Sequence, residues 1–261
     1  MDTQQHKSLN ILVIGDACID KYHYGTCDRL SPEAPVPIFK HTYTEKREGM
    51  CLNVANNLAA FEAEASILCN KEMIYKERFV DIKTKQQLLR SDFGENGNVK
   101  PLSTAEIKKV SLEQYDAVII SDYNKGYITH DVATLIAKLC LQNNILLFVD
   151  SKKRDLSCFD GGFIKINEDE FRQVTRFPQN YELIVTLGAA GARWNDKIYE
   201  TVECEVFDIS GAGDTFLASF AYGYLCTEST ERGINFANMC SRFVVQKFGT
   251  YCLKREDLKQ I

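Results

Sequence analysis

Four short apolar runs limit the folds open to this chain, because each has strand length and each ends in a glycine or an acidic residue. They are Ile11-Leu12-Val13-Ile14-Gly15-Asp16, Ala117-Val118-Ile119-Ile120-Ser121-Asp122, Ile145-Leu146-Leu147-Phe148-Val149-Asp150 and Leu183-Ile184-Val185-Thr186-Leu187-Gly188. Unbroken apolarity, in place of alternation, marks strands covered on both faces. Between them lie amphipathic helical stretches, such as residues 130–142, where Val132, Leu135, Ile136 and Leu139 recur on one face. Strand alternating with helix predicts an α/β fold around a mainly parallel sheet.

The 261 residues read as a single domain, since no linker or internal repeat divides them. Residues 21–46 differ in character: Tyr22, His23 and Tyr24 precede Pro32, Pro35 and Pro37, and a Thr/Tyr-rich stretch follows. Proline confines such a segment to edges and turns, so a small β flap or lid is expected there, joined by part of 78–93. Residues 91–101, with Gly94, Gly97 and two asparagines, read as a loop. A formal charge of −5 leaves no basic footprint for nucleic acid. The ten cysteines stand singly with no CxxC pair, which predicts buried thiols in a reducing compartment. The polar start through Asn10 shows no signal peptide and no apolar stretch spans a membrane, so a cytoplasmic protein is expected.

The chemistry concentrates in Phe207-Asp208-Ile209-Ser210-Gly211-Ala212-Gly213-Asp214-Thr215-Phe216, which runs into a small-residue helical stretch at 217–225. Backbone N–H groups at a helix start lack intrahelical partners and sit at the positive end of the dipole, so Gly211, Ala212 and Gly213 suit a phosphate. Asp214 then lies where a carboxylate takes the proton of an attacking hydroxyl. The plainer reading is a glycine turn with Asp214 capping the helix. Just past the first strand, Asp16 and Asp20 place two carboxylates where ligands of open parallel sheets gather. Gly49 precedes a helix start bearing Asn53, Asn56 and Asn57, whose amides suit polyol recognition. Each piece alone also fits a solvated loop or a helix face.

Asp20, the Gly49/Asn53 helix start, Asn167-Glu168-Asp169-Glu170, Thr186-Leu187-Gly188-Ala189-Ala190-Gly191 and Gly211-Ala212-Gly213-Asp214 follow one another in the order and spacing of a known group. In them the chain resembles the ribokinase-like (PfkB) carbohydrate kinase family. Within it the chain is most similar to the bacterial D-glycero-β-D-manno-heptose 7-phosphate kinases, through Gly15-Asp16, Arg29-Leu30-Ser31-Pro32-Glu33-Ala34-Pro35-Val36-Pro37, Gln87-Leu88-Leu89-Arg90, Ser121-Asp122-Tyr123-Asn124-Lys125-Gly126 and Lys247-Phe248-Gly249-Thr250. The resemblance runs from about residue 11 to 258 and implies the ribokinase-like three-layer fold. It implies an ATP- and Mg²⁺-dependent kinase with Asp214 as base, Gly211 to Gly213 as anion hole, and Asp16, Asp20, Gly49 and Asn53 on the sugar side. Asn167, Thr186, Gly188, Gly191, Asn238 and Gly249 would serve the nucleotide, Glu170 would reach Mg²⁺ through water, and Asp208 lies near a monovalent-cation loop that would bring K⁺. Arg29, Arg90 and Lys125 are candidates for the phosphate of a sugar phosphate, or else ordinary surface charges.

Three departures qualify the resemblance. Ser210 stands where the family usually has threonine, and Met50 where it usually has a second glycine, which predicts altered sugar specificity. Between residues 69 and 84 roughly one βα unit is skipped, which predicts an exposed sheet edge, a homodimer formed through that edge or the lid, or a weakened closure over substrate. The nucleotidyltransferase domain fused to some heptose kinases is not among these residues, so phosphorylation alone is expected. A kinase for another sugar, a nucleoside or a polyol, and an idle nucleotide- or sugar-binding relative, remain alternatives. A dinucleotide-dependent oxidoreductase is disfavoured because no GxGxxG follows the first strand.

Overall fold

The computed structural model of the chain describes residues 8–95, 97 and 99–261. The polar start through residue 7, and Asn96 and Asn98 of the expected 91–101 loop, lie outside the described residues. In chain order the elements are β1 (Asn10–Gly15), β2 (Ala17–Thr26), β3 (Lys40–Met50), α1 (Cys51–Ala60), β4 (Glu64–Cys69), β5 (Tyr75–Asp81) and β6 (Gln87–Phe93). The short α2 (Thr104–Ile107) leads to β7 (Ala117–Asp122), α3 (His130–Gln142), β8 (Leu146–Ser151), β9 (Gly162–Asn167) and the single-turn α4 (Glu168–Phe171). Then come β10 (Tyr181–Thr186), β11 (Ala192–Trp194), β12 (Lys197–Tyr199), α5 (Ala212–Thr227) and α6 (Thr230–Val244).

Among the described residues the main sheet has eight strands in the order β12-β11-β10-β9-β8-β7-β1-β4. It is parallel from β4 to β10, and β11 and β12 close it antiparallel. Helices cover both faces, as the period-two geometry of a strand requires. Leu12 and Ile14 of β1 join Val132 and Ile136 of α3 in one core cluster. Ile11 and Val13 join Val54 and Leu58 of α1 and Leu217 and Phe220 of α5 in the other. α3 begins where Thr129 Oγ1 accepts from the N–H of Val132 at 3.3 Å. α5 and α6 approach so closely that a Cβ on Gly223 would lie 3.1 Å from Gly233 Cα.

A second sheet of four strands, β3-β2-β5-β6, stands apart from the first, and residues 21–46 contribute β2 and β3 to it. Met50, the cap of α1, has φ 59°. It therefore keeps the left-handed backbone a glycine would adopt, while its side chain is buried with Leu12, Ile14 and Cys18. The bulk expected to crowd a substrate is thus directed into the core.

Three sequence expectations need correction. Ser91, Asp92 and Phe93 belong to β6 and not to a loop, because they pair with Glu77, Lys76 and Tyr75. β10 is not covered on both faces along its length; only Ile184 and Val185 are buried, since the strand lies near the antiparallel end of the sheet. Among the described residues all ten cysteines are free thiols, but Cys226 is exposed and Cys27, Cys69, Cys204 and Cys252 are half-buried, because they lie on surface elements. No helix among the described residues is long and apolar enough to cross a membrane.

Candidate active site

The C-terminal ends of β7, β8, β9 and β10 converge on the N-terminus of α5, the place where open parallel sheets hold ligands. Gly211 caps α5 with φ 81°, a left-handed conformation that glycine adopts without strain. Any side chain there would also collide with Asn53, since a Cβ would lie 2.6 Å from its Nδ2. Asp214 falls in the first turn, 2% exposed, but it does not cap the helix. Its Oδ2 accepts from Asn53 Nδ2 at 3.0 Å and its Oδ1 from the Tyr123 hydroxyl at 2.8 Å. Burial pushes its carboxyl up to about 6, against the pull of those two hydrogen bonds. A carboxylate tuned in this way is mostly ionised at neutral pH and has more appetite for a proton than an exposed one, as a general base requires.

Beside the helix start lies a cavity of about 510 Å³ lined by Gly211, Ala212, Gly213, Asn167, Thr186, Gly188, Gly191 and Asn238, together with Tyr123, Asp150, Lys152 and Lys165. Val202, Val206 and Ile209 line it as well and are otherwise largely exposed, so they offer an apolar wall. Lys165 Nζ, itself buried, pairs with Asp150 Oδ2 at 2.6 Å and donates to the Gly213 carbonyl at 3.4 Å. Lys152 pairs with Asp150 and Glu170. Burial opposes the charge on Asp150, but Lys165 and Lys152 outweigh it and hold the carboxyl below its ordinary range. Burial likewise opposes the charge on Lys152, and Asp150 and Glu170 outweigh it. The cavity thus joins two held ammonium groups to a helix N-terminus, a setting for phosphate oxygens. The Ala212 N–H is already turned onto the Ile209 carbonyl at 3.2 Å and the Thr215 N–H onto the Gly211 carbonyl at 2.9 Å, so the open amides of the first turn are those of Gly213 and Asp214.

The remaining candidates divide by what they touch. Asp20 is buried against Arg78 at 2.5 Å and accepts from Thr250 Oγ1 at 3.1 Å. Gly49 must be glycine because a Cβ would lie 2.5 Å from Asp20 Oδ2. Asp16 is fully buried at the end of β1, and its oxygens accept from the N–H groups of Lys125 and Tyr127. It anchors a loop and is absent from the cavity lining. Asn167 and Glu170 form a reciprocal capping box on α4, and Glu170 also meets Lys152. Asp208 accepts from the amides of Ser210 and Gly249, at 2.8 and 3.0 Å, and so ties the approach to α5 to the C-terminal segment. Asn238 donates to the Tyr199 carbonyl at 2.8 Å while lining the cavity.

The three candidates for a substrate phosphate are dispersed. Arg29 is exposed, Arg90 lies against Asp92 at 2.7 Å, and Lys125 pairs with Glu95 at 2.6 Å. The residues that sequence reasoning left without a role are Tyr123, Asp150, Lys152 and Lys165. A signal existed for one of them: Lys165 interrupts the apolar strand Gly162-Phe163-Ile164-Lys165-Ile166-Asn167, which only a paired charge can do cheaply. Among the described residues no group of three His, Cys, Asp or Glu side chains is arranged to hold a metal. A divalent ion in this cavity would take its oxygens from phosphates and water, with Asp150 in the lining and Glu170 behind Lys152 as the carboxylates at hand.

The model of the pfkB family carbohydrate kinases matches residues 79–256. The bifunctional protein HldE of Sulfurimonas denitrificans is 31% identical over 310 residues, covering 96% of this chain and 63% of its own. The chain therefore spans under two thirds of that relative, and the alignment is longer than the 261 residues here, so the relative carries segments this chain lacks. Phosphofructokinase-2 of Escherichia coli, 16% identical, superposes with a TM-score of 0.73 over 97% of both chains. Arabidopsis thaliana ribokinase, solved with ribose and ATP, is 14% identical with a TM-score of 0.71, covering 97% of this chain and 98% of its own. Those two likenesses establish a ribokinase-like fold.

Proposed function

This chain belongs to the pfkB family of carbohydrate kinases, and from that premise we propose that it transfers the γ-phosphoryl group of ATP to the anomeric hydroxyl of D-glycero-D-manno-heptose 7-phosphate. The observation that carries the reading is the buried Asp214 at the start of α5, beside a cavity lined by Gly211, Ala212, Gly213, Lys152 and Lys165. In this reading the triphosphate lies in the cavity, with its outer phosphates against the α5 amides and the two lysines. The apolar wall of Val202, Val206 and Ile209 takes the base. Asp214 accepts the acceptor's proton, and Asn53 holds the carboxylate in place. Glu170 would reach through water a Mg²⁺ bound with ATP, which would supply neutralisation of phosphate charge.

The heptose acceptor is supported by the sequence runs around Ser31–Pro37 and Ser121–Gly126 and by the relatives named HldE. The assay is ADP release with a panel of phosphorylated and free sugars, wild type beside Asp214→Asn. Turnover with heptose 7-phosphate that drops about a hundredfold or more in the variant supports the reading. Turnover only with another sugar, nucleoside or polyol moves the substrate, and binding without turnover leaves an idle relative. Running the same assay in K⁺ and in Na⁺ tests the role proposed for the Asp208 loop; equal rates remove it.

We also infer a homodimer formed through the second sheet. Leu89 and Phe93, two apart twice over on β6 and so on one face, are 58% and 50% exposed on an edge strand that pairs only with β5. A monomer by light scattering at micromolar concentration ends that inference.

A further inference from the structure

Tyr123 follows β7 in the run Ser121-Asp122-Tyr123-Asn124-Lys125-Gly126 and lines the cavity, yet its hydroxyl reaches past the cavity wall to Asp214 Oδ1. Its loop is held from several sides. Asp16 accepts the N–H groups of Lys125 and Tyr127, and Asp122 is bound by Ser151 Oγ at 2.6 Å and Lys153 Nζ at 2.7 Å. Asn124 takes φ 57°, a left-handed turn that asparagine tolerates. The ring is faced by two ammonium groups. Lys152 Nζ lies 5.4 Å from its centroid and lines the cavity, and Lys76 Nζ, from β5 of the second sheet, lies 5.1 Å away. Tyr123 therefore stands between the nucleotide cavity and the second sheet, with its hydroxyl on the base.

A base must come within hydrogen-bond reach of the proton it takes, and both oxygens of Asp214 already accept a donor. Asn53 is the fixed one, since its own Oδ1 accepts from Asn57 Nδ2 at 3.1 Å. We propose that Tyr123 is a positioning residue for phosphoryl transfer: its hydroxyl occupies, on Asp214 Oδ1, the place the sugar hydroxyl takes, and keeps water off the base until the sugar arrives. The inference rests on the kinase reading above. During transfer the acceptor O–H gives its proton to Asp214 while its oxygen bonds the γ-phosphorus. The bond from that phosphorus to the β–γ bridging oxygen breaks, and its electron pair leaves with ADP. Tyr123 gives up no proton: burial, and then the Asp214 charge, push the phenol well above its ordinary range.

The same contact bears on the ionisation of Asp214. The groups acting on that carboxylate are Asn53 of α1 and Tyr123 by hydrogen bonds, Asp150 of β8 and Lys165 of β9 by charge. The thiols of Cys18 on β2, Cys51 on α1 and Cys252 in the C-terminal segment lie close enough to feel it. Tyr123→Phe removes one donor and leaves all the others, along with the ring between its lysines.

The test compares full-length wild type with Tyr123→Phe by three measurements: sugar-dependent ADP release against pH, ADP release without sugar, and the carboxyl titration of Asp214 followed by ¹³C NMR. The expected result is an acid limb and an NMR titration both moved up by about one pH unit. Sugar-independent ADP release should rise about tenfold relative to the sugar-dependent rate, because water now reaches the base. An unmoved titration, or an unchanged ratio of hydrolysis to transfer, overturns the inference. A wild type that phosphorylates no sugar instead overturns the kinase reading, and the NMR titration then still decides whether Tyr123 governs Asp214.

Discussion

Replacing Asp214 by asparagine should stabilise the protein above neutral pH while lowering transfer about a hundredfold or more, and the size of the gain follows from the site. Burial raises the Asp214 carboxyl from its ordinary 3.8 to about 6. A group whose folded pKa is raised binds its proton more tightly in the native state, so native stability falls as pH rises from about 4 to about 6 and is flat above. The gap corresponds to roughly 3 kcal/mol of destabilisation once the carboxylate is charged. Asparagine removes that charge, but it must also satisfy two donors with one oxygen. Asn53 cannot turn to help, because its Oδ1 already accepts from Asn57. The Tyr123 hydroxyl can rotate to accept from the new amide, at a cost of about 1 kcal/mol for exchanging a charged for a neutral hydrogen bond. The net expectation is about 2 kcal/mol in favour of Asp214→Asn at pH 8, shrinking to nothing or slightly negative at pH 4. Urea unfolding of both proteins across that range measures it, since every other titrating group cancels in the difference. A variant no more stable than wild type at pH 8, or a difference that does not vary with pH, would show that Asp214 is not a strained carboxylate and would remove the physical basis for its role as base.

Two further substitutions probe the phosphate side. Lys165→Met strips the buried Asp150 of its 2.6 Å partner and should cost about 3 kcal/mol in urea. Adding Asp150→Asn should recover most of that stability while the ATP KM stays raised, and a double variant as unstable as the single one would contradict the pairing. Gly211→Ala forces a side chain into φ 81° and against Asn53 Nδ2. It should lose about 1–2 kcal/mol and, by pushing Asn53 off Asp214, reduce kcat about tenfold; kinetics left unchanged would mean the cap does not set the base.

What could be read from the residues was whatever repeats locally. The α3 helix follows from the spacing of Val132, Leu135, Ile136 and Leu139, and β7 from the apolar run Ala117 to Ile120. The place of Asp214 in the first turn of α5 was legible because glycines lead there into a small-residue helical stretch. The partners of Asp214 were not legible. Asn53 lies 161 positions away and Tyr123 lies 91, and nothing local says that one strand end and two helix starts will meet. The same holds for Asp16, whose carboxylate looks like a ligand in sequence and proves to hold the amides of residues 125 and 127. Met50 shows the converse: its departure from glycine looked like a change in the substrate pocket, but packing forces accept the strained φ in return for a buried side chain.

β4 is the outermost parallel strand of the main sheet, separated from β7, β8 and β9 by β1. After it the chain passes directly to the second sheet through residues 70–74. Asn70 makes that passage. Its Oδ1 accepts from the Ala17 N–H at 2.6 Å, and its Nδ2 donates to the carbonyls of Ala17 and Glu72, at 3.2 and 2.6 Å. One buried amide thus stands in for a strand partner at the point where β1 gives way to β2, the hinge between the sheets. In the proposed reading the acceptor side, with Asp20 on β2 and Arg78 on β5, leans on that amide, whereas the cavity is lined from the ends of β8, β9 and β10, from α5 and α6, and from the segment after β12. Damage to Asn70 should therefore raise the sugar KM and leave ATP binding nearly as it was, because the two halves of the site are supported by different sheets.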